Sequence, residues 1–553
     1  MGLYATIFWV AIGTWLASSA YCLVRNYRLA RKSGLTVLAS PFNHRNGLFM
    51  IFVTPLAPFL KRWLPRYLYE GMQFTVHGWE FADNTEFHER LGWSVMRASP
   101  GGVTLWTGEL DLAVELMART KDFGQGDLTG VFMGFFGENL VTSNGEAWVR
   151  HRRIVAPTLN ERISNLVWTE ALDQSRQMVE YALDQPGGIT DNVIDGVCSI
   201  AFNVLGFMGY GLKKPWTVVP GQDSGMAYFD AVQTVTKGLV PAAIVPHWIM
   251  RLPFMPAASK KLGRAVKNVP PFTADMLERE RVLLKGKTDS RGNLMSMLVQ
   301  LSDQEKQLDG KQGEVRQYLS ESEITGNLFM FTVGGYDTTS SVLSFAITVL
   351  ACYPEWQDWI IEEIDQVLSG DGEEFDYAST FPRLTRCLAI MYETVRIYPP
   401  FAHISRQNPA AVTLTSGPRP VYIPAKTEIF INSYAIQTDP RNWGPDARVY
   451  RPARFFSSGR PPIGEKLIHP PKGTFMAWAA GPRVCPGQKM SQVEFVGVIA
   501  TLFRKCRLEP VREPGETMKQ ARSRFEELLR DAQPVVTLTI KDPKKVVLKW
   551  TRR

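Results

Sequence analysis

The 553-residue chain is poor in cysteine, with six in all: Cys22, Cys198, Cys352, Cys387, Cys485 and Cys506. No two form a CxxC pair or stand at a zinc-ligand spacing, which argues against a zinc finger and a disulfide framework. There is no Walker A loop and no GxGxxG after a strand, so no nucleotide site of its own is visible. No Ser/Gly-rich linker, low-complexity block or fixed-period repeat interrupts residues 60–530, which predicts one large domain rather than several small ones. Charge of one sign is not concentrated: 62 Lys and Arg against 54 Asp and Glu leave +8, spread along the chain with a local excess from Lys541 to Arg553. Without a basic stripe interleaved with aromatics, nucleic acid is not an expected partner. What the chain does have is 45% hydrophobic residues against 21% charged ones, enough to bury a large core.

The apolar residues are densest at the N-terminus. From Leu3 to Val24 there is no charge, and at 1.5 Å per residue that stretch matches about 30 Å of hydrocarbon. Arg25, Arg28, Arg31 and Lys32 follow it, the reverse of a secretory leader, whose basic residues come first. A membrane anchor is therefore expected, with its basic flank and everything after it in the cytosol; a cleaved leader is the competing reading. A second apolar run, Leu48 to Leu60, is too short to span and is expected to break at Pro55 and Pro58. It either dips into lipid headgroups or packs on the domain.

Apolar residues at steps of three and four predict helices at Leu110–Arg119, Ala147–Ile154, Leu166–Leu183, Asp191–Leu205, Phe272–Leu284 and Trp356–Leu368. Strand signals are few: Val421–Ile423, and a hairpin-like pair Val535–Ile540 and Val546–Trp550 separated by KDPKK. The expected fold is mostly α with small peripheral β-sheets.

Cys485 stands in WAAGPRVCPG, from Trp478 to Gly487, just before the apolar helical run QKMSQVEFVGVIATLF. A cysteine there meets the positive end of a helix macrodipole and free backbone N–H groups, which favour thiolate, the form that ligates a soft metal. A lone cysteine before a helix is also a common structural residue, so its neighbours decide. Gly481 and Gly487 suggest close approach of the backbone to a flat group, and Arg483 could reach an anionic substituent of it. The stretch resembles the proximal loop of the cytochrome P450 family, F-x-x-G-x-R-x-C-x-G, matching at Gly481, Arg483, Cys485 and Gly487. It departs at Trp478, where the family usually has Phe; the indole keeps an aromatic ring and adds an N–H donor able to tune the sulfur. The resemblance implies that Cys485 is the axial thiolate of haem iron.

Upstream, Ser320-x-x-Glu323 reads as a capping box. Ile324, Leu328, Phe331, Gly335, Thr338, Val342, Phe345 and Val349 then share one helix face. Gly334-Gly335-Tyr336-Asp337-Thr338-Thr339 lies mid-helix, where each glycine costs about 1 kcal/mol relative to alanine. Read alone it is a kinked core helix. It is similar, however, to the family's oxygen-binding motif, which implies that Thr338 hydrogen-bonds activated dioxygen and Asp337 relays protons from solvent.

Glu393-Thr-Val-Arg396, in a helix ending at Pro399-Pro400, resembles the family's ExxR motif, with Arg454 as its later partner; such a triad would be structural. Trp148 and Arg152, and Arg406, resemble positions that contact haem propionates, the alternative being plain surface residues. His403 reads as pocket lining or core rather than a metal ligand.

The resemblance covers essentially the whole chain. It implies the cytochrome P450 fold with an anchor helix at 1–24, a basic and apolar linker at 25–60, possibly interfacial, and a single haem domain at 61–553. It further implies haem b (heme b, iron protoporphyrin IX), molecular oxygen as co-substrate, and electrons from NADPH–cytochrome P450 reductase, docked near Lys489 and the neighbours of Arg483. The expected enzyme is a single-pass endoplasmic-reticulum monooxygenase of fungal type, oxidising a lipophilic small molecule of secondary metabolism. Its pocket is expected to be lined by 130–137, Phe329, Phe331, Val333 and 401–404. The rivals are a reductase-independent haem-thiolate isomerase or dehydratase, which would not need Asp337-Thr338, and a non-catalytic membrane haem carrier or sensor.

Overall fold

The computed structural model describes residues 2–218, 227–285, 292–309, 317–369, 375–417, 419–457 and 465–553. The chain forms two compact units, Met1–Val131 with Phe401–Ala447 and Pro471–Val484, and Phe132–Pro400 with Arg448–Pro470 and Cys485–Arg553.

The first unit is built on a five-stranded sheet. Its strands are β1 (Thr36–Ala39), β2 (Ser94–Ser99), β3 (Gly102–Thr107), β4 (His403–Gln407) and β5 (Glu428–Asn432), in the order β1-β2-β3-β5-β4. β2 and β3 are antiparallel, with Ser94 opposite Thr107 and Ser99 opposite Gly102 across the Pro100-Gly101 turn. The β2–β3 hairpin was not expected; its signal was the Pro-Gly-Gly step between two β-rich runs.

Helix α1 (Gly2–Arg31) is long and apolar enough to cross a membrane. It runs past residue 24, and its C-terminal turns pack on the sheet: Ala30 is fully buried, and the Asn26 amide donates to the Ser99 carbonyl at 2.7 Å. The expected linker at 25–60 therefore carries the end of α1, β1 and most of helix α2 (Gly47–Trp63). α2 continues through Pro55 and Pro58, where a break was expected. Val53 and Ala57 face the protein, while Leu48, Phe52, Leu56, Phe59 and Trp63 form an exposed stripe at steps of four, four, three and four. Helix α3 (Leu110–Ala118) covers another part of this core through Leu112, Ala113, Leu116 and Met117.

The second unit is helical. Its main elements are α4 (Gly145–Val155), α5 (Glu161–Asp184), α6 (Val193–Tyr210), α7 (Ala227–Lys237), α8 (Glu321–Cys352), α9 (Thr385–Ile397) and α10 (Gln488–Lys505). The capping box at the start of α8 is present, with Ser320 Oγ accepting from the Glu323 amide and Glu323 accepting from the Ser320 amide. A helix expected to start at Phe272 instead spans Ala257–Lys285, through Pro270 and Pro271. Leu262, Ala265, Val269 and Leu277 bury one face, and that tertiary burial outweighs two lost backbone hydrogen bonds.

The C-terminal strands pair differently from expectation. β7 (Gln533–Pro534) and β8 (Leu538–Thr539) close on each other as a tight hairpin, while β9 (Leu548–Arg552) pairs antiparallel with β6 (Cys506–Pro510) and with Ile189–Thr190. Pro543 starts a short 3-10 turn at Pro543–Lys545, so KDPKK directs the chain to another sheet instead of folding it back.

One buried network in the first unit makes stability pH-dependent. His44 is 4% exposed; its Nε2–H donates to Glu428 at 2.9 Å and its Nδ1 accepts from Ser99 Oγ at 2.8 Å. Burial, and then the Arg97 charge, lower its pKa from 6.5 to about 4. A histidine whose folded pKa lies below its unfolded value weakens the fold as pH drops between those two values. His44→Gln should therefore reduce the stability lost between pH 7 and pH 4.5 by about 2 kcal/mol, read from urea unfolding midpoints.

Candidate active site

Cys485 is the exposed cysteine of the six. It sits two residues before Gly487, the N-cap of α10. The protein around the sulfur desolvates it and raises its pKa, while the amides of Gly487 and Gln488 and the charge of Arg152 pull the other way. The helix-start donors read from the sequence are thus present, but burial outweighs them, and the expected lowering of the thiol pKa is not seen.

Arg152 and Trp148 stand one turn apart on α4, so they share a face. α4 is tied to α8 by its other faces: Arg150 donates to Glu323 at 2.5 Å, and the buried His151 meets the Asn327 amide at 3.0 Å. Asn327 Oδ1 also accepts from the Leu140 amide at 3.0 Å. Sequence reading missed these contacts, since nothing local marks Arg150 or Asn327.

α8 is unbroken through Gly334-Gly335. A Cβ at Gly335 would lie 3.0 Å from Leu205 of α6, so this glycine allows close helix packing. One at Gly334 would meet nothing within 4 Å, and this is the glycine that leaves the helix surface open. Thr338 donates its hydroxyl to the Gly334 carbonyl at 2.6 Å. Asp337 is half-buried; its Oδ2 accepts from the Thr537 hydroxyl at 2.8 Å. Burial raises its pKa, and the Thr537 hydroxyl and amide, with the Lys237 charge, oppose the rise. Sequence reading put Thr537 in a strand at Val535–Ile540 and gave it no role; it lies instead in the turn between Gln533–Pro534 and Leu538–Thr539.

The expected charge triad is formed. Glu393 and Arg396 are completely buried and joined by two hydrogen bonds of 2.7 Å; Arg454 Nε donates to Glu393 Oε1 at 3.0 Å. The Arg451 amide donates to the same oxygen at 2.7 Å, and both guanidiniums reach the Val449 carbonyl.

In the first unit, Arg406 is 3% exposed and has no carboxylate partner among the described residues. Its guanidinium reaches the Ser405 carbonyl and Met117 sulfur, and its Nε has no hydrogen-bond partner among the described residues. Burial and the Arg483 charge lower its pKa to about 10, and burial does the same to Arg483. Two desolvated cations close enough to repel each other suit an anionic group. Gly481 has φ +69, and a Cβ there would lie 2.6 Å from the Met117 carbonyl. Its close approach is thus to α3 rather than to a flat ligand. A Cβ at Gly487, in the second unit, would meet only the Cys485 sulfur, at 3.9 Å. Trp478 packs edge-on to Phe475. His403 bonds the buried Glu80 and packs on Trp106 and Phe430, as a core residue does.

The expected pocket lining needs correction on α8. At 100° per residue Phe331, Gly335 and Thr338 share a face, with Phe331 half-buried, whereas Phe329 and Val333 lie on the other side. Phe329 is fully buried against Phe135 and Phe136. Lys489, expected at a partner surface, lies over the Phe381 ring at 4.3 Å.

Comparison with known proteins agrees with this geometry. The model of the family described as Cytochrome P450 matches residues 73–537. A Leptosphaeria maculans protein, the phomenoic acid biosynthesis cluster cytochrome P450 monooxygenase, is 32% identical over 98% of each chain. Cytochrome P450 monooxygenases of Arthrobotrys oligospora and Penicillium roqueforti are 27% and 26% identical, covering 86% and 87% of this chain and 87% of each relative. The chain belongs to the cytochrome P450 family. It is a monooxygenase of fungal type, and its family's chemistry uses haem and oxygen.

Removing one partner of the triad leaves a buried charge uncompensated. Glu393→Ala should cost about 3–5 kcal/mol, seen as loss of the cooperative thermal transition, while Glu393→Asp should lose less.

Proposed function

We propose that this monooxygenase binds haem b through Cys485 as axial thiolate, with Arg152, Trp148, Arg406 and Arg483 toward the propionates, and oxidises a lipophilic small molecule in secondary metabolism. The observation that carries it is Cys485 itself, an exposed cysteine just before α10, where burial raises the thiol pKa and the amides of Gly487 and Gln488, with the Arg152 charge, oppose the rise. The donor set fits the group: a soft anionic ligand for iron, and in Arg406 a buried cation without a carboxylate partner among the described residues. Bound there, the haem supplies one-electron redox chemistry and a place for dioxygen. Gly487 leaves the sulfur uncrowded, and the Trp478 indole is a candidate donor to it.

The chain's own part in the chemistry lies on α8. Thr338 holds its hydroxyl on the Gly334 carbonyl, one turn back and beside that open surface, and would be the donor to dioxygen there. Asp337, half-buried, takes protons from solvent and passes them inward. Phe331, on the Thr338 face, offers an apolar contact to the substrate. The Leptosphaeria relative's name places it in a biosynthetic cluster, which supports a secondary-metabolite substrate here. Electrons come from NADPH through cytochrome P450 reductase, the chain having no nucleotide motif of its own.

We also propose that α1 anchors the enzyme in the endoplasmic reticulum membrane, with Arg25, Arg28, Arg31 and Lys32 on the cytosolic side. The exposed stripe of α2 then lies in the interface, with Lys61 and Arg62 in its last turn for the headgroups.

The dithionite-reduced protein under carbon monoxide should show a strongly red-shifted Soret band that Cys485→Ala abolishes; a well-folded wild type without the band would return the carrier reading. A chain lacking residues 1–24 should still sediment with phosphatidylcholine vesicles, and its Phe52→Asp, Phe59→Asp variant should not. Equal sedimentation would assign the contact elsewhere.

A further inference from the structure

The β7–β8 hairpin is 200 residues from Asp337 in sequence and uses its polar groups on α8. Thr537, at its tip, is fully buried. Its hydroxyl donates to Asp337 Oδ2 at 2.8 Å and lies 3.4 Å from the Asp337 carbonyl, and its amide also serves the carboxylate. The next residue is pinned on both sides: Ser341 Oγ donates to the Leu538 carbonyl at 2.5 Å, and the Leu538 amide donates to the Pro400 carbonyl at 2.9 Å. The tip closes on itself through the Val535 amide and Thr537 carbonyl. A β-branched side chain in a pinned turn has little freedom, so the hydroxyl is a fixed donor.

We propose that Thr537 is the positioning residue for Asp337: it ties Oδ2 to the hairpin and leaves Oδ1 to take up and hand on protons. The inference rests on the reading of Asp337 as proton relay. A half-buried carboxyl with no donor would be free to rotate and would tend to stay protonated. A relay group must release its proton as readily as it takes one. Thr537 meets both needs, because its two donors favour the ionised form and fix which oxygen is engaged. The other groups facing this site are Lys237 on α7, Cys198 on α6 and Tyr336 beside the acid, with Gln233 of α7 hydrogen-bonded to Tyr336. Of these, Thr537 alone hydrogen-bonds the carboxylate among the described residues. Insertion of one oxygen atom and reduction of the other to water consumes two electrons, from the external reductant, and two protons. Hydrogen peroxide takes the same two electrons and two protons from dioxygen but leaves the O–O bond intact, so a relay that brings the second proton out of place diverts NADPH into peroxide.

Two measurements test this on the full-length protein. In hydrogen exchange without turnover, Asp337→Ala should speed exchange of the Thr537 amide at least about tenfold, the scale of one charge-assisted hydrogen bond. With NADPH and cytochrome P450 reductase, Thr537→Val should raise the peroxide formed per NADPH consumed, and Thr537→Ser, which keeps the hydroxyl, should restore the wild-type ratio. Oxidation of tetramethyl-p-phenylenediamine by cumene hydroperoxide, which needs no such relay, should stay unchanged in both variants. A fall there as well would mark a merely structural role and overturn the proposal. An altered ratio in Asp337→Ala with a wild-type ratio in Thr537→Val would overturn the proposal and leave the relay standing. A wild-type ratio in Asp337→Ala would instead remove the relay, and unchanged exchange would remove the contact.

Discussion

A carboxylate cut off from water must find its hydrogen bonds inside the protein, and Glu393 finds them on two arginines and a backbone amide. Because all these partners are directional, α9 and the segment from Val449 to Arg454 are held in one relation. The neighbouring Tyr392 extends that hold, accepting from Gln492 of α10 at 3.3 Å and packing edge-on to Phe455. α10 is the helix whose first amides face Cys485. The electrostatic setting of the sulfur therefore depends on a charge network that takes no part in the chemistry.

α8 plays the corresponding part on the other side of the chemistry. Its N-terminal turns are fixed to α4 by Arg150–Glu323 and His151–Asn327, its middle packs on α6 through Gly335, and the hairpin of β7 and β8 is tied to it at Asp337 and Ser341. Except for the apolar packing at Gly335, each tie uses a polar group that burial would otherwise leave unsatisfied. The helix can carry an open patch at Gly334 and a half-buried acid beside it because its remaining surface is so firmly held.

Features that depend on neighbours within a turn could be read directly. The Ser320–Glu323 capping box, the Glu393–Arg396 pair and the position of Cys485 before α10 all follow from spacings of three or four residues, and all are present. The expectations that failed depended on distant partners. The strand at Leu548–Arg552 looked like the second arm of a hairpin, yet it pairs with Cys506–Pro510, since strand pairing is settled by which edge is available. Pro55 and Pro58 read as breaks and a helix was expected only from Phe272, yet burial of one face carries both helices through their prolines. Phe329 and Val333 were expected in the pocket by analogy with the family, but helix phase turns them away from Thr338.

What the sequence by itself determined is therefore local: an apolar segment long enough to span a bilayer, helices with their caps, and a cysteine poised at a helix start among residues that resemble one family's motif. These follow from covalent neighbours, which no later packing can change. Only the tertiary structure decided that Asp337 would meet Thr537, that Arg406 would be buried within reach of the Arg483 charge, and that Gly481 would rest on Met117. Such pairs lie far apart in the chain and carry no mutual spacing. Their contact is set by how whole helices and strands exclude water together, and that is a property of the assembled core.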